Sequence, residues 1–258
     1  MHPVRAKKSL GQHFLNDDSI AQAIVGSLAA PTGRILEVGP GTGVLTRHLL
    51  SRPEELKLVE LDREAAEYIA AAFPQTKDAL VRADFLKIAP ETLFDGQPFS
   101  VIGNFPYNIS TQIFFKVIEH RDLIPEIAGM VQKEVAERMA ATEGRKTYGI
   151  LSVLLQRWYN IEYLFTVDEH VFTPPPKVKS AAVRMTRNER QDMPCDEALF
   201  VRLVKTAFNQ RRKTIRNSIK LMPEAKGFEH DYLNLRPEQL SIEQFAELTN
   251  LLDAGDRL

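Results

Sequence analysis

Four consecutive residues, Asn104-Phe105-Pro106-Tyr107, combine the groups needed to hold the exocyclic amino group of a nucleobase. The Asn104 side-chain oxygen and the carbonyl before Pro106 can accept hydrogen bonds, and Pro106 restricts the local backbone. Tyr107 offers an aromatic face for a base taken out of its stack. Because a β-branched apolar run precedes these residues, we expect them at the carboxyl end of a buried strand, where open α/β sheets bind ligands. A simple strand-end turn is the alternative, since Asn and Pro are common turn residues.

A second candidate site is the glycine-rich turn at residues 39–43, which follows an apolar strand. Its glycines let the backbone approach a ligand closely. Its G-x-G-x-G spacing differs from the dinucleotide fingerprint, and it has no Lys or Arg for a phosphate. The next two strands end in Glu60, which can bind both hydroxyls of a ribose, and in Asp84, which can accept from an adenine amino group beside Phe85. We therefore expect an adenosine ligand without phosphates, such as S-adenosylmethionine; a generic βα loop is the alternative for the turn alone.

These residues fall within a repeating strand–helix pattern that extends to about residue 187. Strands are expected over 34–38, 56–60, 79–81, 99–104, 125–131, 159–167 and 178–187. Helices are expected over 44–50, 63–73, 110–121, 132–141 and 148–157. Seven strands with interleaved helices predict a doubly wound α/β sheet with its ligand at the switch point. A polar stretch at 188–194 marks the boundary to a small helical domain.

The composition is that of a soluble globular protein, with 258 residues, 44% of them apolar and 26% charged. The single cysteine, Cys195, excludes a disulfide within the chain and a cysteine metal cluster. No apolar run approaches the length needed to span a membrane, and the N-terminus lacks the apolar segment of a secretion signal. We expect a cytoplasmic protein with no membrane association and no metal site.

Basic residues are concentrated in separate segments, although the net charge is only −1. Three segments carry bases without any acid: 1–16, 170–188 and 205–220. A solvated helix face could explain any one of them, but three together favour nucleic acid as a partner. If residues 205–220 form one helix, Lys205, Arg212 and Arg216 share a face that could follow phosphates.

The proline-rich loop at 172–179 is expected to be rigid and extended. Such a loop could hold Phe172 against the open face of a base stacked on Tyr107. The alternative is a polyproline connector with Phe172 packed in the core.

In combination, these stretches resemble the KsgA/RsmA family, the small-subunit rRNA adenine dimethyltransferases, over nearly the full chain. The matching stretches are 8–15, 37–43, 59–62, 103–110, 172–178 and 208–213. Two positions depart from the family: Phe105 stands where Leu is usual, and His13 where some members have Asn. The first departure could alter local packing, and the second keeps a hydrogen-bonding side chain.

The resemblance implies a class I methyltransferase fold, with a Rossmann-like seven-stranded sheet and a small C-terminal helical domain. Residues 1–187 would form the S-adenosylmethionine-binding methyltransferase domain, with segment 1–16 closing over the site, and 188–258 would bind RNA. The implied cofactor-binding residues are His13, Leu15, Gly39, Gly41, Glu60, Asp84 and Asn104. The implied catalytic residues are Asn104, Pro106, Tyr107 and Phe172. The RNA-binding residues that we predict from the basic segment 205–220 are Arg211, Arg212, Lys213 and Arg216.

The implied activity is dimethylation of the N6 amino groups of two adjacent adenosines near the 3′ end of small-subunit (16S) rRNA, coupled to small-subunit biogenesis. The partner would be this rRNA within a pre-ribosomal 30S particle, and we expect a monomer. One alternative is a methyltransferase of large-subunit rRNA, of the antibiotic-resistance type, or of DNA. Another is an assembly factor that acts mainly by binding. Residues 208–213 and the N-terminal stretch favour the first interpretation, and the intact Asn104, Pro106 and Tyr107 disfavour a role without catalysis.

Overall fold

The computed structural model describes residues 4–188, 190 and 194–255. The chain divides into two compact units. The first comprises residues 1–136 and 161–187, and the second comprises residues 137–160 and 188–258. The division differs from the predicted domains at residues 137–160, which join the second unit because their side chains contribute to its core.

The strands are β1 (Phe14–Leu15), β2 (Arg34–Val38), β3 (Glu55–Glu60), β4 (Leu80–Arg82), β5 (Ser100–Asn104), β6 (Glu126–Gln132), β7 (Tyr159–Val167), β8 (Phe172–Thr173) and β9 (Ser180–Arg187). The helices are α1 (Asp18–Ser27), α2 (Thr46–Leu49), α3 (Arg63–Ala72), α4 (Ser110–Glu119), α5 (Lys133–Met139), α6 (Ile150–Gln156), α7 (Glu197–Asn209), α8 (Ile215–Ile219) and α9 (Ile242–Gly255). Each strand predicted for the sheet lies within two residues of its expected bounds. The helix predicted at 44–50 is shorter, because the glycine turn continues to Leu45 before α2 begins.

Within the described residues, the main sheet has seven strands in the order β4-β3-β2-β5-β6-β9-β7. β2 pairs in parallel with β3 on one side and with β5 on the other, so the direction of winding reverses at β2. β9 is antiparallel to β6, which makes the sheet mixed. Ile35, Leu36 and Val38 of β2 are all buried, as expected for a central strand covered on both faces.

One hydrophobic core of the first unit contains side chains of α1 and α2 and of the central strands. Ile24 of α1 and Leu49 of α2 are buried in the same cluster as Ile35, Ile102 and Met130 of the sheet. α1 begins at an Asp17 cap that accepts hydrogen bonds from two backbone N–H groups. This helix was not predicted, and it leads from the N-terminal segment into the sheet.

The second unit is helical and is built around aromatic side chains. Tyr148 packs edge-on against Phe208 at a ring-centroid distance of 6.0 Å, and Phe208 contacts Phe245 at 5.8 Å. Trp158 packs edge-on against Phe200 at 6.4 Å. Among the residues that the structure describes, no helix combines the length and apolar character required to cross a membrane.

Candidate active site

An open cleft lies at the point in the first unit where the winding of the sheet reverses. Its empty volume, including the part open to solvent, is about 1090 Å³. Residues that end or directly follow β2, β3, β4 and β5 line it, together with residues 10–15 of the N-terminal segment. The cleft therefore lies at the sheet position where the sequence predicts a ligand.

The glycine turn after β2 forms one wall of the cleft. Gly39 and Gly41 have φ angles of +69° and +57°, in the left-handed region that favours glycine. Gly39 N donates to Val59 O at 2.9 Å, which joins the turn to β3. A Cβ atom at Gly39 would meet no atom within 4 Å, whereas one at Gly41 would lie 2.9 Å from Phe14 Cε1. The backbone is thus open to close approach at Gly39 and covered by the N-terminal segment at Gly41.

Glu60, the predicted ribose ligand, ends β3 and is only 4% exposed. Its carboxylate accepts hydrogen bonds from Gly41 N at 3.1 Å and from Asp62 N at 2.8 Å. Burial raises the pKa of Glu60 above its ordinary value, although these two N–H groups partly offset the shift. The carboxylate is therefore held against the glycine turn and lines the cleft beside it.

A second buried carboxyl group, Glu37, lies near the end of β2 and also lines the cleft. It accepts a hydrogen bond from the Thr46 hydroxyl at 2.7 Å. Burial raises the pKa of Glu37 to about 8; the Thr46 bond opposes this shift and the charge of Glu60 adds to it. The sequence assigned Glu37 no role, and the signal for it is an acid in an apolar strand directly before the glycine turn.

Asp84 and Phe85, predicted to contact adenine, line the cleft in the loop after β4. The Asp84 carboxylate accepts from Leu86 N at 3.0 Å and lies 3.6 Å from Lys87 Nζ. Phe85 is buried. The structure thus brings Asp84 and Phe85 to the same cleft as Glu60.

Asn104, at the end of β5, lines the cleft with Pro106 and Tyr107. Its Nδ2 donates to His13 O at 2.8 Å. Within the described residues no donor bonds to Asn104 Oδ1, so this oxygen is available as an acceptor. The Tyr107 hydroxyl is hydrogen-bonded to Ser180 Oγ, and burial raises the pKa of Tyr107.

Phe105, where the family resemblance leads us to expect Leu, is buried and packs edge-on against Phe114. Its ring lies over Gly103 and Gly129, which are register partners on β5 and β6. A Cβ atom at Gly129 would lie 2.6 Å from Phe105 Cε2 and 2.1 Å from Gly103 O. The paired glycines therefore provide the space that the larger ring needs.

His13 and Leu15 lie in the N-terminal segment that lines the cleft. The His13 ring stacks on Tyr107, with centroids 5.3 Å apart and planes at 28°. Its Nδ1 donates to Pro174 O at 2.7 Å. Leu15 is buried in β1. His13 therefore contacts Asn104 through the His13 backbone carbonyl and Tyr107 through the His13 ring.

Phe172 does not face Tyr107 as predicted. It pairs with Leu15 in the β1–β8 ladder, belongs to the hydrophobic core cluster and is 2% exposed. Pairing of β8 with the N-terminal strand turns this side chain into the core. The structure thus matches the alternative in which Phe172 packs in the core, and a role of Phe172 beside the target base stays a prediction.

The N-terminal segment is also held by charged contacts that the sequence did not predict. Lys7 Nζ forms an ion pair with Asp62, and Gln12 Nε2 lies 3.4 Å from the same carboxylate. Burial would raise the pKa of Asp62, but the bonds from Lys7, Glu64 N and Gln12 outweigh it and lower the pKa below its ordinary value. No local sequence signal identifies this pair, because 55 residues separate its partners.

The basic segment of the second unit is not the single helix predicted over 205–220. α7 ends at Asn209 and α8 begins at Ile215, and the turn between them is closed by a bond from Lys213 N to Gln210 O at 2.8 Å. Lys205, Arg212 and Arg216 therefore do not share one helix face.

The four predicted RNA-binding residues fall into two groups. Arg216 forms two hydrogen bonds of 2.6 Å with the Glu229 carboxylate, and Arg211 lies 3.7 Å from Glu238. Arg212 and Lys213 are exposed, and neither forms an ion pair with another residue in the described parts of the chain. Within the described residues, Arg212 and Lys213 are thus the two members of this set whose charges are not paired with an acid.

Comparison with known proteins identifies the family of this chain. The family model for ribosomal RNA adenine dimethylase matches residues 4–254. The small-subunit rRNA methyltransferase A of Bacteroides thetaiotaomicron is 56% identical over 256 residues, which cover 98% of this chain and 96% of that protein. The protein of the same name from Flavobacterium johnsoniae is 52% identical, with 98% of each chain covered.

Two solved structures share the fold. A dimethyladenosine transferase from Plasmodium falciparum has a TM-score of 0.79 at 24% identity, covering 95% of this chain and 98% of the other. The 23S rRNA methyltransferase ErmE has a TM-score of 0.69 at 26% identity, covering 92% and 99%. The fold is that of class I methyltransferases, and the match over residues 4–254 shows that this chain belongs to the ribosomal RNA adenine dimethylase family.

Proposed function

We propose that this protein is an S-adenosylmethionine-dependent enzyme that dimethylates the N6 amino groups of two adjacent adenosines near the 3′ end of small-subunit rRNA. Family membership and 52–56% identity to small-subunit rRNA methyltransferases over nearly the whole chain support an rRNA adenine dimethyltransferase. The single observation that carries the chemistry is that Asn104 and Tyr107 line a cleft whose described lining contains no Lys or Arg.

The charge of the cleft fits the proposed cofactor. Glu60 and Asp84 line it, Glu37 lines it as a carboxyl group that its pKa of about 8 keeps largely protonated at neutral pH, and no Lys or Arg is found among its described lining residues. A wall of this kind disfavours phosphate groups and favours a positively charged sulfonium ligand. Glu60 would hold the ribose hydroxyls, Asp84 the adenine amino group, and the open backbone at Gly39 would admit close approach. When bound, the cofactor supplies a methyl group on a positively charged sulfur.

The protein's part in methyl transfer is to orient the target amine. Asn104 Oδ1 accepts from the adenine amino group, because its Nδ2 is already engaged by His13 O. The carbonyl before Pro106 offers a second acceptor, and Tyr107 offers the stacking face. Fixing the amine in this way supplies the orientation that makes the reaction fast.

With Phe172 in the core, the ring next to Tyr107 is that of His13. Aromatic rings in direct contact have centroids about 4.5–7 Å apart, so the 5.3 Å between these two centroids leaves no room for a base between the rings. We infer that the His13 ring moves away from Tyr107 when the target base enters.

The RNA contacts are proposed for the second unit. Arg212 and Lys213 are exposed and would bind phosphates without reading bases, which would give an affinity that falls with salt. The proposed substrate is the rRNA of a pre-ribosomal 30S particle, and the proposed active form is a monomer. The large-subunit alternative rests on ErmE, whose 26% identity is half that of the small-subunit relatives.

The test is methylation of small-subunit particles from cells that lack this modification. We expect mass mapping to find two adjacent dimethyladenosines near the 3′ end of the small-subunit rRNA. Asn104→Ala should lower single-turnover transfer by about 100-fold or more while S-adenosylhomocysteine still binds, since it removes a positioning group. Modification of large-subunit rRNA instead, or transfer by Asn104→Ala within threefold of the wild type, would contradict the proposal.

A further inference from the structure

A buried lysine outside the predicted site contacts the wall of the cleft. Lys116 lies in α4, two turns after the Asn104–Tyr107 motif, and is only 9% exposed. Burial lowers the pKa of Lys116, while Glu119, Asp84 and Glu91 oppose this shift. Because burying an amine is unfavourable without compensating contacts, its partners indicate what the side chain does.

The partners of Lys116 belong to the loop that carries Asp84 and Phe85. Lys116 Nζ donates a hydrogen bond to Ile88 O. The same nitrogen lies 5.5 Å from the centroid of the Phe85 ring, within the range of a cation–π contact. One side chain of α4 therefore contacts both the ring and the end of this loop.

The loop itself is a single turn fixed at both ends. Asp84 O accepts from Lys87 N at 2.9 Å and from Ile88 N at 3.0 Å, and the Asp84 carboxylate accepts from Leu86 N. These bonds close the turn at its start, and the bond from Lys116 holds its last carbonyl. Without Lys116, Ile88 O loses this partner and the Phe85 ring loses its cation.

We propose that Lys116 is a positioning residue that holds Asp84 and Phe85 in place to recognise the adenine of the cofactor. The inference rests on the proposed function, because it assumes an adenosine ligand in the cleft. Since α4 begins just after Tyr107, Lys116 also connects the residues that orient the target amine to those that read the cofactor base. Selectivity for the amino group of adenine is the property that depends on it.

The experiment measures the dissociation constants of S-adenosylhomocysteine and of S-inosylhomocysteine, which carries oxygen in place of the adenine amino group. Calorimetry is done on the wild type and on two variants of Lys116. Lys116→Met has a side chain of similar length without an N–H donor, and Lys116→Arg keeps an N–H donor. Lys77→Met is the matched control, because Lys77 is exposed. Lys116→Leu is a second apolar variant in case Lys116→Met does not fold.

We expect the wild type, Lys116→Arg and Lys77→Met to prefer S-adenosylhomocysteine at least tenfold, as for a site with an acceptor for the amino group. In the apolar variants the preference should fall to threefold or less. An unchanged preference in a folded apolar variant would overturn the inference, whether or not overall affinity fell, because lower affinity alone indicates a structural role. A wild type that binds neither ligand would instead contradict the proposed function.

Discussion

Replacement of Glu60 by alanine gives the most direct measure of how the cleft binds a nucleoside. The carboxylate is buried, and it accepts hydrogen bonds from backbone N–H groups of the glycine turn and of Asp62. A hydrogen bond to a charged acceptor contributes about 1.5–3 kcal/mol, so loss of two ribose hydroxyl bonds should cost at least about 3 kcal/mol. At about 1.4 kcal/mol per tenfold change, this raises the dissociation constant of S-adenosylmethionine by about 150-fold.

Titration calorimetry with the cofactor alone measures this effect, and filter binding with rRNA fragments provides the comparison. RNA affinity should stay unchanged, because Glu60 lies in the cleft and makes no RNA contact in the proposed function. Glu55→Ala is the matched control, since Glu55 is an exposed glutamate at the opposite end of the same strand. A cofactor dissociation constant for Glu60→Ala within threefold of the wild type would refute the assignment of Glu60 to the ribose.

Two further predictions concern the buried carboxyl and the exposed bases. The folded pKa of Glu37 is about 8 against an ordinary 4.5, so its stabilising effect is complete below pH 4.5 and is lost as pH rises to 8. As pH rises across this range, the free energy of unfolding in urea of Glu37→Gln should therefore increase relative to that of the wild type, by up to about 1.4 kcal/mol per pH unit. A difference between the two free energies that does not change with pH would contradict this. Replacing Arg212 and Lys213 with Gln should weaken binding to small-subunit particles and lower the salt slope by about two, whereas Arg216→Gln should change it less because Glu229 already pairs with Arg216. Equal slopes for the double variant and the wild type would refute the phosphate contacts.

The strands were predictable because most contain a short stretch rich in apolar residues, such as Val101-Ile102 of β5, and are bounded by turn residues. The cleft followed from them, since the ends of parallel strands meet at one edge of the sheet. Phe172 was not predictable, because the direction of a single aromatic side chain depends on which strand pairs with its own. The break between α7 and α8 was missed for a related reason: charge spacing indicates which residues could share a helix face but not where the helix ends.

The docked N-terminal segment has a consequence for the timing of the reaction. Residues 10–15 form one wall of the cleft, and Lys7 and Gln12 of the same N-terminal segment bind Asp62. Each methyl group transferred consumes one cofactor, so two rounds of exchange serve each dimethylated adenosine. If the spent cofactor leaves past this wall, as we propose, the segment must lift first, and the rate of lifting would then limit how soon the second methyl group follows the first. High ionic strength should then shorten this interval, because salt weakens the partly exposed Lys7–Asp62 ion pair that holds the segment.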